Sequence, residues 1–82
     1  MTNTQIKEFV DYIVEIEKNL HKFNKKAMKN EMSVISQKIQ FLMDEISKTP
    51  AENVGLIIVL ASMETKLRDC LDCIKSRAGV DN

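Results

Sequence analysis

The chain has 82 residues, of which 44% are apolar and 29% charged, and it contains two Gly, one Pro and no Trp. This length predicts a single domain (residues 1–82) with a marginal core, because so short a chain buries only about 60% of its unfolded surface. Twelve basic residues balance twelve acidic ones, which excludes a global charge attraction to nucleic acid or membrane.

The sequence carries no recognisable export or membrane signal. Residues 1–5 have neither the basic start nor the apolar block of a secretory signal. The longest apolar stretch, residues 54–63, is about half of what a bilayer crossing needs. Cys70 and Cys73 are three residues apart and form no disulfide framework. We therefore expect a protein of the reducing cytoplasm, without membrane insertion.

Capping signals predict where the helices begin and end. Thr2, followed three residues later by Gln5, fits a weak capping box. Residues 49–52, Thr-Pro-Ala-Glu, fit a stronger one with Pro at the first helical position. Arg77 and Gly79 mark a helix end, with a cation in the last turn and a glycine after it. The predicted helices span residues 3–29, 31–48 and 50–77.

Apolar residues recur at alternating spacings of three and four, which is typical of helical seams and not of strands. The first seam comprises Ile6, Phe9, Ile13, Ile16, Leu20, Phe23 and Ala27, broadened by Val10 and Val14. The second comprises Met28, Met32, Ile35, Ile39, Leu42 and Ile46. The third comprises Leu56, Leu60, Met63, Leu67, Cys70 and Ile74. The predicted fold is therefore all-α, with two to three amphipathic helices in a hairpin or bundle.

The first two seams do not join in phase between residues 24 and 30. Either the chain breaks there, with Asn30 as a new cap, or one long helix continues and faces a different partner.

The first half of the third helix is apolar in nearly every direction. The residues concerned are Val54, Leu56, Ile57, Ile58, Val59, Leu60, Ala61 and Met63. A helix of this kind is buried on more than one side, and two or three helices from one short chain do not easily enclose it. We therefore expect a homo-oligomer. The alternative is that this helix is the centre of a compact three-helix bundle.

Positive charge is concentrated between the first two helices. Residues 21–30 contain four lysines (Lys22, Lys25, Lys26 and Lys29) and no acid. Such a stretch could meet phosphate, anionic lipid or an acidic protein surface, although a solvated bend is the commoner explanation. It contains no arginine and a single aromatic, Phe23, so nucleic acid is not a predicted partner.

No arrangement of residues predicts catalysis, a cofactor or a metal. Cys70 and Cys73 have the spacing of a zinc or redox pair, but the single histidine, His21, offers no further ligand set. Cys70 belongs to an apolar seam, where a free cysteine packs as a small hydrophobe. Asp44 and Glu45 are adjacent and diverge on a helix. We therefore predict a binding protein and not an enzyme.

Three segments carry a resemblance to a known family: residues 1–10 (MTNTQIKEFV), 47–52 (SKTPAE) and 67–73 (LRDCLDC). Together with the size, they make the chain similar over its whole length to the lysis-inhibition accessory proteins of T-even bacteriophages. The resemblance implies an antiholin in the host cell cytoplasm. It would bind the soluble amino-terminal segment of a phage holin and delay assembly of the holin into membrane lesions.

The expected partner-binding residues form two groups. The apolar group, Ile57, Ile58 and Val59, would pack against the holin or a second copy. The basic group, Lys22, Lys25, Lys26 and Lys29, would steer an acidic partner or lie near anionic headgroups.

Two other functions remain open on sequence grounds. An oligomeric phage protein could sequester the cyclic nucleotide signals of bacterial defence, and its candidate ligand residues here are Tyr12, Arg68 and Arg77. A generic helical adapter would assemble in a defined stoichiometry and would not bind a holin.

Overall fold

The computed structural model of this chain describes residues 1–22 and 24–77. Its helices are α1 (Asn3–Asn19), a short 3-10 helix (Leu20–Lys22), α2 (Lys25–Lys48) and α3 (Val54–Arg77). The described residues contain no strand, and the all-α prediction is confirmed. The predicted termination at Gly79 and the seam position Phe23 lie outside the described residues.

The predicted capping box at the start of α1 is confirmed. The Thr2 hydroxyl oxygen accepts a hydrogen bond from the Gln5 backbone amide at 3.2 Å. The Gln5 side-chain oxygen accepts one from the Thr2 amide at 2.9 Å. Two amides that have no partner within the helix are thereby satisfied.

The predicted first helix, residues 3–29, is too long. The α-helix ends at Asn19, one 3-10 turn follows, and α2 begins at Lys25. Asn24 and not Asn30 is the cap: it has an extended backbone, and its side-chain oxygen accepts from the Ala27 amide at 2.8 Å. Residues 25–30 therefore belong to α2, which explains why the two seams are out of phase.

The predicted capping box at residues 49–52 is also wrong. Thr49 closes α2: its hydroxyl donates to the Glu45 carbonyl oxygen at 2.7 Å and its amide to the Ile46 carbonyl oxygen at 3.2 Å. Pro50, which has no amide hydrogen, cannot extend that helix. Residues 50–53 form a turn, in which the Asn53 amide donates to the Pro50 carbonyl oxygen at 2.9 Å. The third helix therefore begins at Val54, four residues later than predicted.

The buried core consists of residues from the three predicted seams. Its members are Ile13, Ile16, Met28, Ile35, Ile39, Leu42, Leu60, Met63, Leu67, Cys70 and Ile74. A short connection makes α2 and α3 antiparallel neighbours, and they share the largest helix–helix interface of the described chain. The contact of α1 with α3 is smaller.

The fold is elongated and thin. The Cα atoms extend over 42 × 26 × 15 Å, with a radius of gyration of 13.6 Å. A compact domain of this length would have a radius of about 11.7 Å. Three helices in this arrangement leave large apolar side chains in solvent on both α1 and α3, including Val10, Val14 and Ile58.

The position of the helix break can be tested by comparing two asparagines. Replacing Asn24 with Ala should lower the free energy of unfolding by about 1 kcal/mol, because the Ala27 amide loses its acceptor. Replacing the exposed Asn30 with Ala should be neutral or slightly stabilising, since alanine is the better helix former. Urea denaturation followed by circular dichroism measures both. An equal loss at Asn30 would contradict the observed boundary.

Candidate partner-binding surface

An apolar groove of about 430 Å³ runs between α1 and α3. Its lining residues are Val10, Ile13, Val14 and Glu17 on α1, and Ile58, Val59, Ser62, Met63 and Lys66 on α3. The floor includes Ile13 and Met63, which belong to the core. The groove is therefore an opening onto the core, with a volume in the range of ordinary ligand pockets.

The walls of the groove are apolar side chains that remain in water. Val10 and Val14, four residues apart on one helix face, are each 44% exposed. Ile58 and Val59 are 60% and 40% exposed. Contiguous exposed apolar side chains around an opening make this groove the candidate interaction site. Covering it would gain roughly 25 cal/mol for each Å² of apolar area removed from water.

Polar groups of the groove are concentrated toward one end. Glu17 and Lys66 are the lining residues nearest the carboxyl ends of α1 and α3, and Ser62 precedes Lys66 by one helical turn. The groove therefore offers apolar contact along most of its length and both signs of charge at one end. This arrangement suits an amphipathic peptide segment, whose apolar side chains fill the groove while its polar end remains near solvent.

The sequence-predicted binding residues lie in two places. Ile58 and Val59 form part of the groove, whereas Ile57 is half-buried and does not line it. The four lysines, Lys22, Lys25, Lys26 and Lys29, are exposed around the junction of α1 and α2 and do not line the groove. The predicted binding residues therefore belong to two separate surfaces, one apolar and one positively charged.

The α1 wall of the groove was absent from the predicted site. Val10 and Val14 broaden the first apolar seam of the sequence, so a signal for this wall is present there. Periodicity within one helix does not reveal which helix lies opposite, and Val10 and Val14 acquire a role only because α1 lies beside α3.

The three residues considered for cyclic nucleotide binding each contact a different partner within the chain. The Tyr12 hydroxyl donates to the Glu31 carboxylate at 2.6 Å. Arg68 pairs with Glu64 at 2.6 Å, and Arg77 donates to the His21 carbonyl oxygen at 3.3 Å. The separation of nine positions between the two arginines corresponds to about 13.5 Å along the helix and a rotation of roughly 180°. Within one copy, the two arginines therefore do not converge on a ligand.

An aromatic cluster fastens α1 to α2. The Phe9 and Phe41 rings stack at 5.7 Å between centroids. The Lys38 ammonium lies 4.5 Å from the Tyr12 ring centroid and 5.1 Å from that of Phe9. Burial raises the pKa of Tyr12, and the hydrogen bond to Glu31 raises it further. The phenol therefore remains a hydrogen-bond donor at physiological pH, and the cluster holds α1 in place.

The two cysteines differ in environment. Cys70 is buried in the core, and its burial, followed by the charge of Glu17, raises the pKa of its thiol. Cys73 is exposed on the same helix. Among the described residues, no group of three His, Cys, Asp or Glu side chains is placed to hold a metal ion. None of α1, α2 and α3 combines the length and apolarity of a membrane-spanning helix.

Comparison of the whole chain with known protein families, with curated proteins and with solved structures gives no match.

Thiol reactivity tests the two cysteine environments. In the native protein Cys73 should react with a disulfide reagent at least about tenfold faster than Cys70, because the buried thiol is shielded and its raised pKa lowers the thiolate fraction. Raising the pH from 7 to 8.5 should leave Cys70 slow. The Cys73→Ser variant should retain only the slow phase, and both thiols should react rapidly in urea. A single fast phase of two thiols would contradict the core position of Cys70.

Proposed function

We propose that this chain is a cytoplasmic antiholin of a bacteriophage, which binds the soluble amino-terminal segment of the phage holin and delays holin assembly. The observation that carries the proposal is the groove between α1 and α3, whose walls keep Val10, Val14, Ile58 and Val59 in solvent. A protein that inhibits by occupying a partner's assembly surface needs such a face and needs no catalytic group.

The groove suggests how the holin segment would be held. Apolar side chains of an amphipathic segment would enter between Val14 and Ile58 and cover the exposed part of the core. Glu17 and Lys66 would meet polar groups at one end of the segment and fix its direction. The resemblance of residues 1–10, 47–52 and 67–73 to the T-even lysis-inhibition proteins supports the choice of a holin as the partner.

Inhibition would follow from mass action. If the groove binds the holin segment only while that segment is unassembled, binding removes holin from the assembling population. The delay then depends on the concentrations of the two proteins and on their affinity. The same exposed groove supports our expectation that the free chain forms homo-oligomers, in which a second copy covers the apolar face until the holin segment replaces it.

Lysis timing in cells tests the proposal. Co-expression with the holin and its endolysin should delay the fall in culture absorbance. The delay should disappear when the holin's amino-terminal segment is deleted. An Ile58→Asp, Val59→Asp double variant should also abolish the delay. Two carboxylates in an apolar contact should weaken binding roughly 100-fold, since each must be desolvated.

A matched variant controls for the loss of exposed apolar residues in general. Met43 on α2 and Val54 on α3 are 42% and 55% exposed and do not line the groove. Their double replacement by Asp should preserve the delay, with both variants confirmed as folded by circular dichroism. A full delay with the groove variant, or none with the unaltered chain at excess, would refute the proposal.

A further inference from the structure

Tertiary structure joins two basic segments that are far apart in the sequence. Arg77, at the end of α3, donates a hydrogen bond from its guanidinium to the His21 carbonyl oxygen at 3.3 Å, across 56 residues. This contact places the last turn of α3 beside the 3-10 helix that contains Lys22. The lysine-rich junction between α1 and α2 therefore gains the cations of a third segment.

Six cations share this end of the molecule, which we call the basic end. They are Lys22, Lys25, Lys26, Lys29, Lys75 and Arg77. All are exposed except Lys75, which is half-buried. Residues 20–30 and 73–77 contain no Asp or Glu. The described part of the chain contains one ion pair, between Arg68 and Glu64. None of the six cations takes part in it.

The placement of these lysines opposes helix stability. Lys25 and Lys26 occupy the first turn of α2, where the helix dipole favours acidic side chains. Lys25 and Lys29 are like charges four residues apart on the same helix, which also repel. Acidic residues at these positions would stabilise the fold. A local arrangement that lowers stability without a packing gain points to a functional role.

The form of the basic end favours an extended anionic surface over a compact ligand. Its cations come from three chain segments, and none of them lines the groove or either of two smaller depressions, one beside Phe41 and one beside Cys73. Five of the six are lysines, which act as hydrated point charges on flexible stems, whereas bidentate recognition of a carboxylate and stacking on single-stranded nucleic acid favour arginine and aromatic side chains. Clusters of four to eight such residues are typical of attraction to anionic lipid headgroups.

We propose that the basic end binds the phosphate-bearing surface of an anionic membrane, peripherally and without insertion. The basic end shares no residue with the groove, so this inference is independent of the proposed function and is tested with the purified protein alone. Attraction of this kind is electrostatic and decays within a Debye length, so it should be strong at low salt and nearly absent at high salt.

Vesicle co-sedimentation is the test. The chain should bind vesicles that contain phosphatidylglycerol and should not bind pure phosphatidylcholine vesicles at about 50 mM NaCl, and binding should be lost near 500 mM. Replacing NaCl with sodium phosphate at equal ionic strength should change nothing. Stronger displacement by phosphate would reveal a discrete phosphate site and overturn the proposal.

Two charge-matched variants locate the binding surface. Lys26→Glu with Lys29→Glu changes the basic end, whereas Lys7→Glu with Lys48→Glu changes exposed lysines near the start of α1 and at the end of α2. Each double change shifts the net charge from 0 to −4, since two lysines are lost and two acids gained. The first pair should reduce vesicle affinity at least about tenfold, and the second should have a much smaller effect.

Three further results would overturn the proposal. One is no binding of the unaltered chain to anionic vesicles at low salt. Another is an equal loss in both variants, which would make binding a matter of net charge. The third is binding to polyglutamate without binding to vesicles, which would identify an acidic protein as the partner of the basic end.

Discussion

The apolar contact between α2 and α3 is the constraint on which the rest of the structure depends. Ile35 and Leu42 on α2 and Leu60, Leu67 and Ile74 on α3 are completely buried. The buried core of the described chain is entirely apolar, so non-directional burial provides its stability. The remaining helix, α1, adds Ile13 and Ile16 to this core over a smaller contact area. Its incomplete coverage of α3 is the physical origin of the groove.

Polar and aromatic contacts at the edge of the core decide where α1 lies. The bond from Tyr12 to Glu31, the stacking of Phe9 on Phe41 and the ammonium of Lys38 above the rings link α1 to α2. Such contacts are directional, unlike the burial of Ile13 or Ile16. They hold α1 in one register, and in that register Val10 and Val14 lie opposite Ile58 and Val59 instead of packing into the core.

The two candidate surfaces differ in their physics. The groove is apolar and shape-dependent, and a bound segment would stabilise the fold because it would complete the burial of an elongated domain. The basic end is exposed and positively charged, and it would affect where the protein resides more than what it recognises. The antiholin that we propose would benefit from both, because the holin segment that it would bind emerges from a membrane. The two surfaces share no residue, so each can be altered without removing the other.

The sequence by itself determined the helical class and the identity of the core. Each buried residue belongs to one of the three seams, because a helix presents the same face every three to four residues whatever its partner. The Thr2 cap was equally local.

Tertiary structure decided where α1 ends and the chain reverses, so that Asn24 became the cap of α2 although Asn30 is chemically equivalent. It also decided that Thr49 ends α2 instead of beginning α3. It decided as well that Val10 faces Ile58 and that Arg77 reaches His21. Contacts between residues more than 40 positions apart depend on how helices pack, and local periodicity contains no record of that.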